Sequence, residues 1–262
     1  MQERHKNRKQ YFLEQGITTK KYVIPYIEEV KAVNENTRVL EIGCGEGGNL
    51  PPFIEIGCEV IGVDLNKPQL ENAKKFTAEA YPDAKATFLH QNIYETTTDQ
   101  IGSFDIIMLR DVIEHIPDQE KFMGHLKTFM KPDGIVFFGF PPWYMPFGGH
   151  QQVCRSKLSV VPYFHLLPKG MYKGILKMAG ETDNRIHDLL DIKDTGISTS
   201  RFERIVKKNK FVFLKKTFFM INPNYEVKFG LKQRTQFGVI KAIPYLRDFL
   251  TTCMYCVIKM ED

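Results

Sequence analysis

The sequence, 262 residues long, has no run of about 18 apolar residues, so nothing in it is built to cross a bilayer as a helix. Its opening stretch, MQERHKNRKQYF, lacks the apolar core of a secretory signal, and export is not expected. Cysteine is sparse and odd in number: Cys44, Cys58, Cys154, Cys253 and Cys256. The C-x-x-C at Cys253 and Cys256 lies in an apolar run with no second Cys/His pair at zinc spacing, which leaves buried thiols rather than a metal or redox motif. A reducing, cytoplasmic address follows as the expectation. No internal repeat or low-complexity segment appears, and the net charge of +5 is scattered, with short clusters at Arg201 to Lys210 and Lys215-Lys216. A duplex-binding protein concentrates more basic residues on one face, so no nucleic-acid partner is expected. The charge still suits an anionic substrate or peripheral contact with a membrane surface. Nothing sets an oligomeric state.

What is present is an ordinary globular composition, 43% hydrophobic and 26% charged, in a length that fits one α/β domain with an elaboration. The stretch RVLEIGCGEGG, Arg38 to Gly48, organises it. Val39, Leu40 and Ile42 read as a buried strand, and Gly43, Gly45, Gly47 and Gly48 as a tight turn that opens a helix and lets a ligand approach the backbone. Gly43, Gly45 and Gly48 satisfy G-x-G-x-x-G, a weak signal alone. Asp64 closes the next apolar run, where a strand-end carboxylate can accept from both hydroxyls of a ribose. Glu41, an acid inside the strand, is not required by a pyrophosphate and suits a cationic ligand.

The rest of the chain alternates. Residues 7 to 32 read as two short helices separated near Gly16 and Pro25. Strands are expected at 37–42, 58–64, 86–92, 104–111 and 134–140, with helices at about 48–56, at about 68–81 behind an Asn66 cap, and after Asp118. A Pro-Asp-Gly turn precedes the fifth strand. Residues 141–199, rich in Pro, Gly and aromatics and holding the single tryptophan, Trp143, break the rhythm after a strand's carboxyl end, where open sheets bind ligands. They read as a mostly helical substrate cap. A helix at 200–209, a strand at 211–221 and a last antiparallel strand at 251–260 close the sheet, with a second insert at 222–250. The expected fold is therefore α/β: a Rossmann-like, mostly parallel seven-stranded sheet with helices on both faces and a cap after strand five. Its parts are an N-terminal helical segment (1–35) over the ligand site, a core (36–140), the cap (141–199) and the C-terminal part of the sheet (200–262).

On Glu41, Gly43-Cys44-Gly45, Asp64, Asn92-Ile93, the segment RDVIEHIPD and the PDG turn, the chain resembles the class I S-adenosylmethionine-dependent methyltransferases of small-molecule type, among them the quinone-pathway O-methyltransferases. The resemblance covers residues 36–140 well and the inserts not at all. It implies S-adenosylmethionine as cofactor, Asp64 on the ribose, Asn92 on the adenine amine with a backbone bond from Ile93, and the glycine loop, Cys44 included, against the methionine part. Glu41 orients that loop or the amino group. Leu65, Arg110 and Tyr11, the last from the N-terminal helix, are assigned to the same site. The family often has Asp where this chain has Asn92, whose amide oxygen still accepts a bond.

Methyl transfer is an in-line displacement, for which the enzyme supplies alignment, exclusion of water and, for a hydroxyl nucleophile, a base. His115, His150 and His165 are the candidate bases, and Trp143, Tyr144 and Phe147 the candidate acceptor lining. In some quinone-pathway relatives acid-x-x-E-H helps hold a divalent metal; Asp111, Glu114 and His115 have that spacing, although a metal is not expected. The expected function is methyl transfer to a small-molecule acceptor, most simply an oxygen of a phenolic, lipid-like or sugar-like compound. Three alternatives stand beside it: an NAD-dependent oxidoreductase, a catalytically silent cofactor-binding subunit of a larger complex, and a methyltransferase with a macromolecular acceptor.

Overall fold

A computed structural model describes residues 7–261; the first six residues of the expected N-terminal segment lie outside the described part. Eight strands form one sheet in the order β3-β2-β1-β4-β5-β8-β6-β7. The parallel half is β1 (Arg38–Ile42), β2 (Glu59–Asp64), β3 (Ala86–His90), β4 (Phe104–Arg110) and β5 (Met130–Phe140). In the other half, β8 (Cys253–Met260) runs antiparallel to both β5 and β6 (Phe211–Ile221). The eighth strand, β7 (Arg234–Thr235), is a two-residue edge added to β6 by the second insert, too short to leave a periodic signal.

Both faces of the sheet are covered because its strands are apolar on both faces. One face joins Leu40, Ile107, Leu109 and Phe138 to Phe122 and Leu126 of α6 (Gln119–Leu126) and Phe202 of α9 (Thr199–Lys208). The other joins Val39, Ile106, Met108 and Phe137 to Val23, Ile27, Phe53 and Leu70. Glu41, one residue beyond Leu40, belongs to this second face.

The N-terminal helix departs from expectation. Instead of two helices broken near Gly16 and Pro25, α1 (Arg8–Thr18) passes through a π turn, Thr19–Val23, into α2 (Ile24–Glu28). The wide turn falls just ahead of Pro25, whose missing N–H would otherwise break the ladder. Gly16 lies inside α1, with its Cβ direction 3.4 Å from the Gly48 carbonyl, so it marks a close approach to the glycine loop rather than a stop.

Two further differences are local. The helix after the glycines, α3 (Pro51–Ile56), begins at Pro51 and not near residue 48, leaving residues 43–50 as turns. The Pro132-Asp133-Gly134 segment does not precede β5 but lies within it, where the pairing register with β4 shifts. By contrast α4 (Lys67–Ala80) starts as read: Asn66 Oδ1 accepts from the Gln69 N–H at 3.1 Å. Asn66→Ala should cost about 1 kcal/mol in urea denaturation, through loss of that cap alone.

After β5 the chain forms three short 3-10 turns and two helices, α7 (Lys169–Met178) and α8 (Asp183–Thr195). They share a small core of their own, with Phe164, Tyr172, Leu176 and Leu189 buried together. A four-residue helix, α5 (Thr98–Ile101), sits between β3 and β4 behind a Thr97 capping box.

Candidate functional site

The carboxyl ends of β1, β2 and β4 converge under the N-terminal helix. Gly43 leaves β1 with φ +70°, and a Cβ there would lie 2.5 Å from Val112 Cγ2, so only glycine fits the turn. Gly48 is pinned from the other side, its Cβ direction 2.6 Å from the Phe12 carbonyl of α1. The loop is thus pressed between the β4 exit and the helix. Asp64 holds it from below: Oδ2 accepts from the Gly45 N–H and Oδ1 from the Asn66 N–H, both at 2.7 Å. Cys44 turns its thiol under β2, 2.7 Å from where a Gly62 Cβ would stand, and its N–H donates to the Val63 carbonyl.

Three groups behind the loop form a buried polar chain. Arg110 Nη1 donates to Asn49 Oδ1 and Asn49 Nδ2 to Glu41 Oε1, each at 2.6 Å, with Thr19 Oγ1 3.4 Å from the same guanidinium nitrogen. Glu41 is 1% and Arg110 7% exposed, and Glu41 Oε2 has no partner. Burial pushes the Glu41 carboxyl up to about 8, against the pull of Asn49 and Arg110. A buried carboxyl and a guanidinium are therefore held apart by one amide, an arrangement that can accept from the ammonium and donate to the carboxylate of an amino acid. Tyr11 reaches the same region from α1, half-buried, its hydroxyl raised to about 12 by burial and by Asp111. Asn49 and Thr19 escaped the sequence reading; a lone Asn after the last glycine of an otherwise apolar stretch was the available signal.

Across the loop, Leu65 is 69% exposed although apolar, while Ile93 is buried. Asn92 is half-buried and spends its Oδ1 on the Tyr94 N–H at 3.1 Å, an Asx turn that shapes the loop after β3. An exposed leucine next in the chain to a strand-end acid offers a flat apolar ligand something to cover.

The third group gathers where β4 ends and the cap begins. Asp111 and His150 both occupy the left-handed region, φ 56° each, a strained conformation for residues with a Cβ. His115 and His150 rings stand edge to face, centroids 5.0 Å apart. His150 Nε2 is 4.0 Å from Glu114 Oε1, and the ligand atoms of Glu114, His115 and His150 all lie within 4.8 Å of one another. Glu114 is buried with neither carboxylate oxygen bonded, and burial together with the charge of Asp111 pushes it well above the usual carboxylate range. Burial and the neighbouring His115 pull His150 down to about 3. Behind them Thr195 Oγ1 donates to the Glu114 carbonyl at 2.6 Å, and Gln119 Nε2 donates to the Thr195 carbonyl at 2.5 Å and that of Ile113 at 3.1 Å, fastening α8 to the segment.

The structure therefore joins His150 to the Glu114-His115 pair, where spacing alone had placed Asp111. His165 is engaged elsewhere: fully buried, its Nε2–H donates to the Trp143 carbonyl at 2.7 Å, and its ring meets that of Trp143 edge-on at 4.6 Å. Trp143 itself is half-buried, tied by its N–H to the Ile197 carbonyl. Tyr144 stacks on Phe249 at 5.4 Å, and the Phe147 carbonyl accepts the His150 N–H.

An open, mostly parallel sheet with a glycine loop after β1 and an acid at the end of β2 has the architecture of the class I methyltransferases. Residues 12–145, half of the chain, match the family described as methyltransferase domain, and the chain belongs to that family. Among curated relatives it is 30% identical over 115 residues to a ubiquinone biosynthesis O-methyltransferase of Bordetella avium, covering 44% of this chain and 47% of that protein. It is 34% identical over 105 residues to the Mesorhizobium japonicum protein of the same name, 39% of this chain and 40% of that one. The chain thus spans less than half the length of these relatives. Similar solved structures include a putative sarcosine dimethylglycine methyltransferase from Galdieria sulphuraria, with a TM-score of 0.62 and 14% identity over 94% of this chain and 86% of that one. Magnesium protoporphyrin IX methyltransferase from Synechocystis PCC 6803, with bound S-adenosylhomocysteine, gives 0.56 and 14% over 96% and 87%. At these identities the likeness extends to the fold.

Proposed function

We propose that this chain transfers the methyl of S-adenosylmethionine to an oxygen of a small phenolic or lipid-like acceptor. The observation that carries the reading is the pairing of two half-sites across the ends of β1 and β4. On one side Asp64, the glycine loop and the Glu41–Asn49–Arg110 chain suit a nucleoside and an amino acid. On the other, Glu114, His115 and His150 suit an acceptor hydroxyl. The names of the curated relatives support an oxygen acceptor.

S-adenosylmethionine, when bound, supplies a methyl carbon already activated by sulfonium. The chain's share is then positioning and proton handling. Asp64 would take the ribose hydroxyls, Leu65 would cover the adenine, Asn49 and Arg110 would hold the carboxylate end, and Glu41 would face the ammonium. Glu114, whose raised pKa makes its ionised form the stronger base, can take the acceptor's hydroxyl proton, while the neutral ring of His150 orients that hydroxyl. A divalent metal also fits this trio, because Glu114 offers two buried oxygens without partners; held by Glu114, His115 and His150, it would polarise the acceptor oxygen. His165 serves as an anchor for Trp143 and the cap.

Calorimetric titration tests the cofactor half: S-adenosylhomocysteine should bind, and Asp64→Ala should weaken it at least about tenfold, the loss of charge-assisted bonds to two hydroxyls. Heat with NAD and none with S-adenosylhomocysteine would return the site to the oxidoreductase reading. For the acceptor half, transfer of label from tritiated cofactor to a catechol-type phenol should be detected by mass fractionation.

A further inference from the structure

Residues 227–247 hold five basic side chains and no acidic one. Two short helices, Gly238–Lys241 within this stretch and Leu246–Phe249 at its end, fold back as a small hairpin. Its residues are arranged the wrong way round for a soluble surface. Arg247 and Asp248 point inward and are buried, whereas Val239, Ile243, Tyr245 and Leu246 are 77, 44, 54 and 46% exposed.

The inversion is held by specific bonds. Arg247 Nε donates to Thr199 Oγ1 at 2.9 Å and its Nη2 to Glu203 Oε2 at 2.6 Å, with the guanidinium over the Phe218 ring at 4.5 Å. Asp248 accepts from the Thr199 N–H at 2.9 Å and from the Thr199 hydroxyl. Gln236 Nε2 closes the base on the Leu250 carbonyl at 2.7 Å. Gln236, Arg247 and Asp248 are thus spent inside, and the apolar tips are left to the solvent. Lys232, Arg234 and Lys241 are exposed on the same insert.

We infer that this hairpin docks the protein on the surface of an anionic lipid bilayer, Val239, Ile243 and Leu246 entering the interface and the exposed basic residues meeting the headgroups. Charge decides the occupant. A second copy would bring the same basic set against itself in an isologous contact, which self-repulsion opposes. An anionic lipid surface complements both the aliphatic tips and the absence of acid. The inference goes beyond the acceptor proposed above and does not require it. Docking would be linked to the cap, because Tyr163 donates its hydroxyl to the Phe249 carbonyl at 3.0 Å and Tyr144 stacks on the Phe249 ring.

Sedimentation with vesicles tests it on the full chain. Binding to vesicles of equal parts phosphatidylcholine and phosphatidylglycerol should exceed binding to phosphatidylcholine alone by at least about tenfold and fall with added salt. The doubles Val239→Ser/Ile243→Ser and Lys232→Glu/Lys241→Glu should each weaken it about tenfold, because one removes apolar insertion and the other headgroup attraction. Circular dichroism melts of both variants should match the parent, since these side chains face solvent. Failure of the parent to sediment with anionic vesicles, or undiminished binding by both doubles, would overturn the inference. So would a dimer in sedimentation velocity that Val239→Ser/Ile243→Ser dissolves, which would assign the hairpin to a second copy.

Discussion

Glu114→Gln is expected to lower turnover of a phenolic acceptor by about 10²–10⁴-fold, the usual reach of a positioned acid–base group. Affinity for S-adenosylhomocysteine should stay within about twofold, because the lost interaction belongs to the reacting proton and not to cofactor binding. The physical basis is the placement of Glu114. Its carboxyl is buried, bonded to nothing, raised well above the ordinary range and 4.0 Å from His150 Nε2. His150→Ala should reproduce most of the loss, and the double variant should cost little more than the worse single, since the two act on one proton. The acid limb of kcat against pH should disappear in Glu114→Gln. A loss confined to KM, with the pH profile intact, would mean that the trio merely shapes the acceptor pocket. His165→Ala should instead lower the melting temperature and leave the pH profile in place, because its ring nitrogen serves the Trp143 carbonyl.

Glu41→Gln should raise stability at neutral and alkaline pH and flatten its pH dependence. Folding lifts the Glu41 carboxyl from 4.5 to about 8. Between these values the native state holds a proton that the unfolded chain has released. Stability contributed by the neutral group is complete below pH 4.5 and is lost as pH rises through about 8. The slope is about 1.4 kcal/mol per pH unit at its steepest, and the whole window amounts to a few kcal/mol, on the order set by burying one carboxylate. Urea denaturation of parent and variant at several pH values reads the difference directly; parallel curves would contradict it. The same variant should bind S-adenosylhomocysteine more weakly, as a group kept at a cost to stability for facing a cation would require.

All the strands but β7 were legible because each is an apolar run bounded by turn residues, and Asn66 and Asp118 were legible as caps because a side-chain oxygen before a helical run has one obvious use. Alternation of strand and helix then fixed the parallel half of the sheet. What stayed hidden depended on contacts distant in sequence. Gly16 and Pro25 look like breaks until Gly48 lies against one and a π turn makes room for the other. Pro132-Asp133-Gly134 looks like a turn until β4 pairs on both sides of it. At the site, Glu41, Asp64 and the glycines declare themselves by spacing, whereas Asn49 acquires meaning only when β4 brings Arg110 beside it. His150 joins Glu114 across 36 positions of sequence because the cap folds back over the end of β4, a pairing no local pattern encodes.

A crystal of the full chain soaked with S-adenosylhomocysteine examines the central claim most directly. The account predicts density for the nucleoside along Asp64 and Leu65, with the amino-acid end turned toward Glu41 and Arg110. Density for the nucleoside elsewhere, or none with the glycine loop closed on its own side chains, would contradict it.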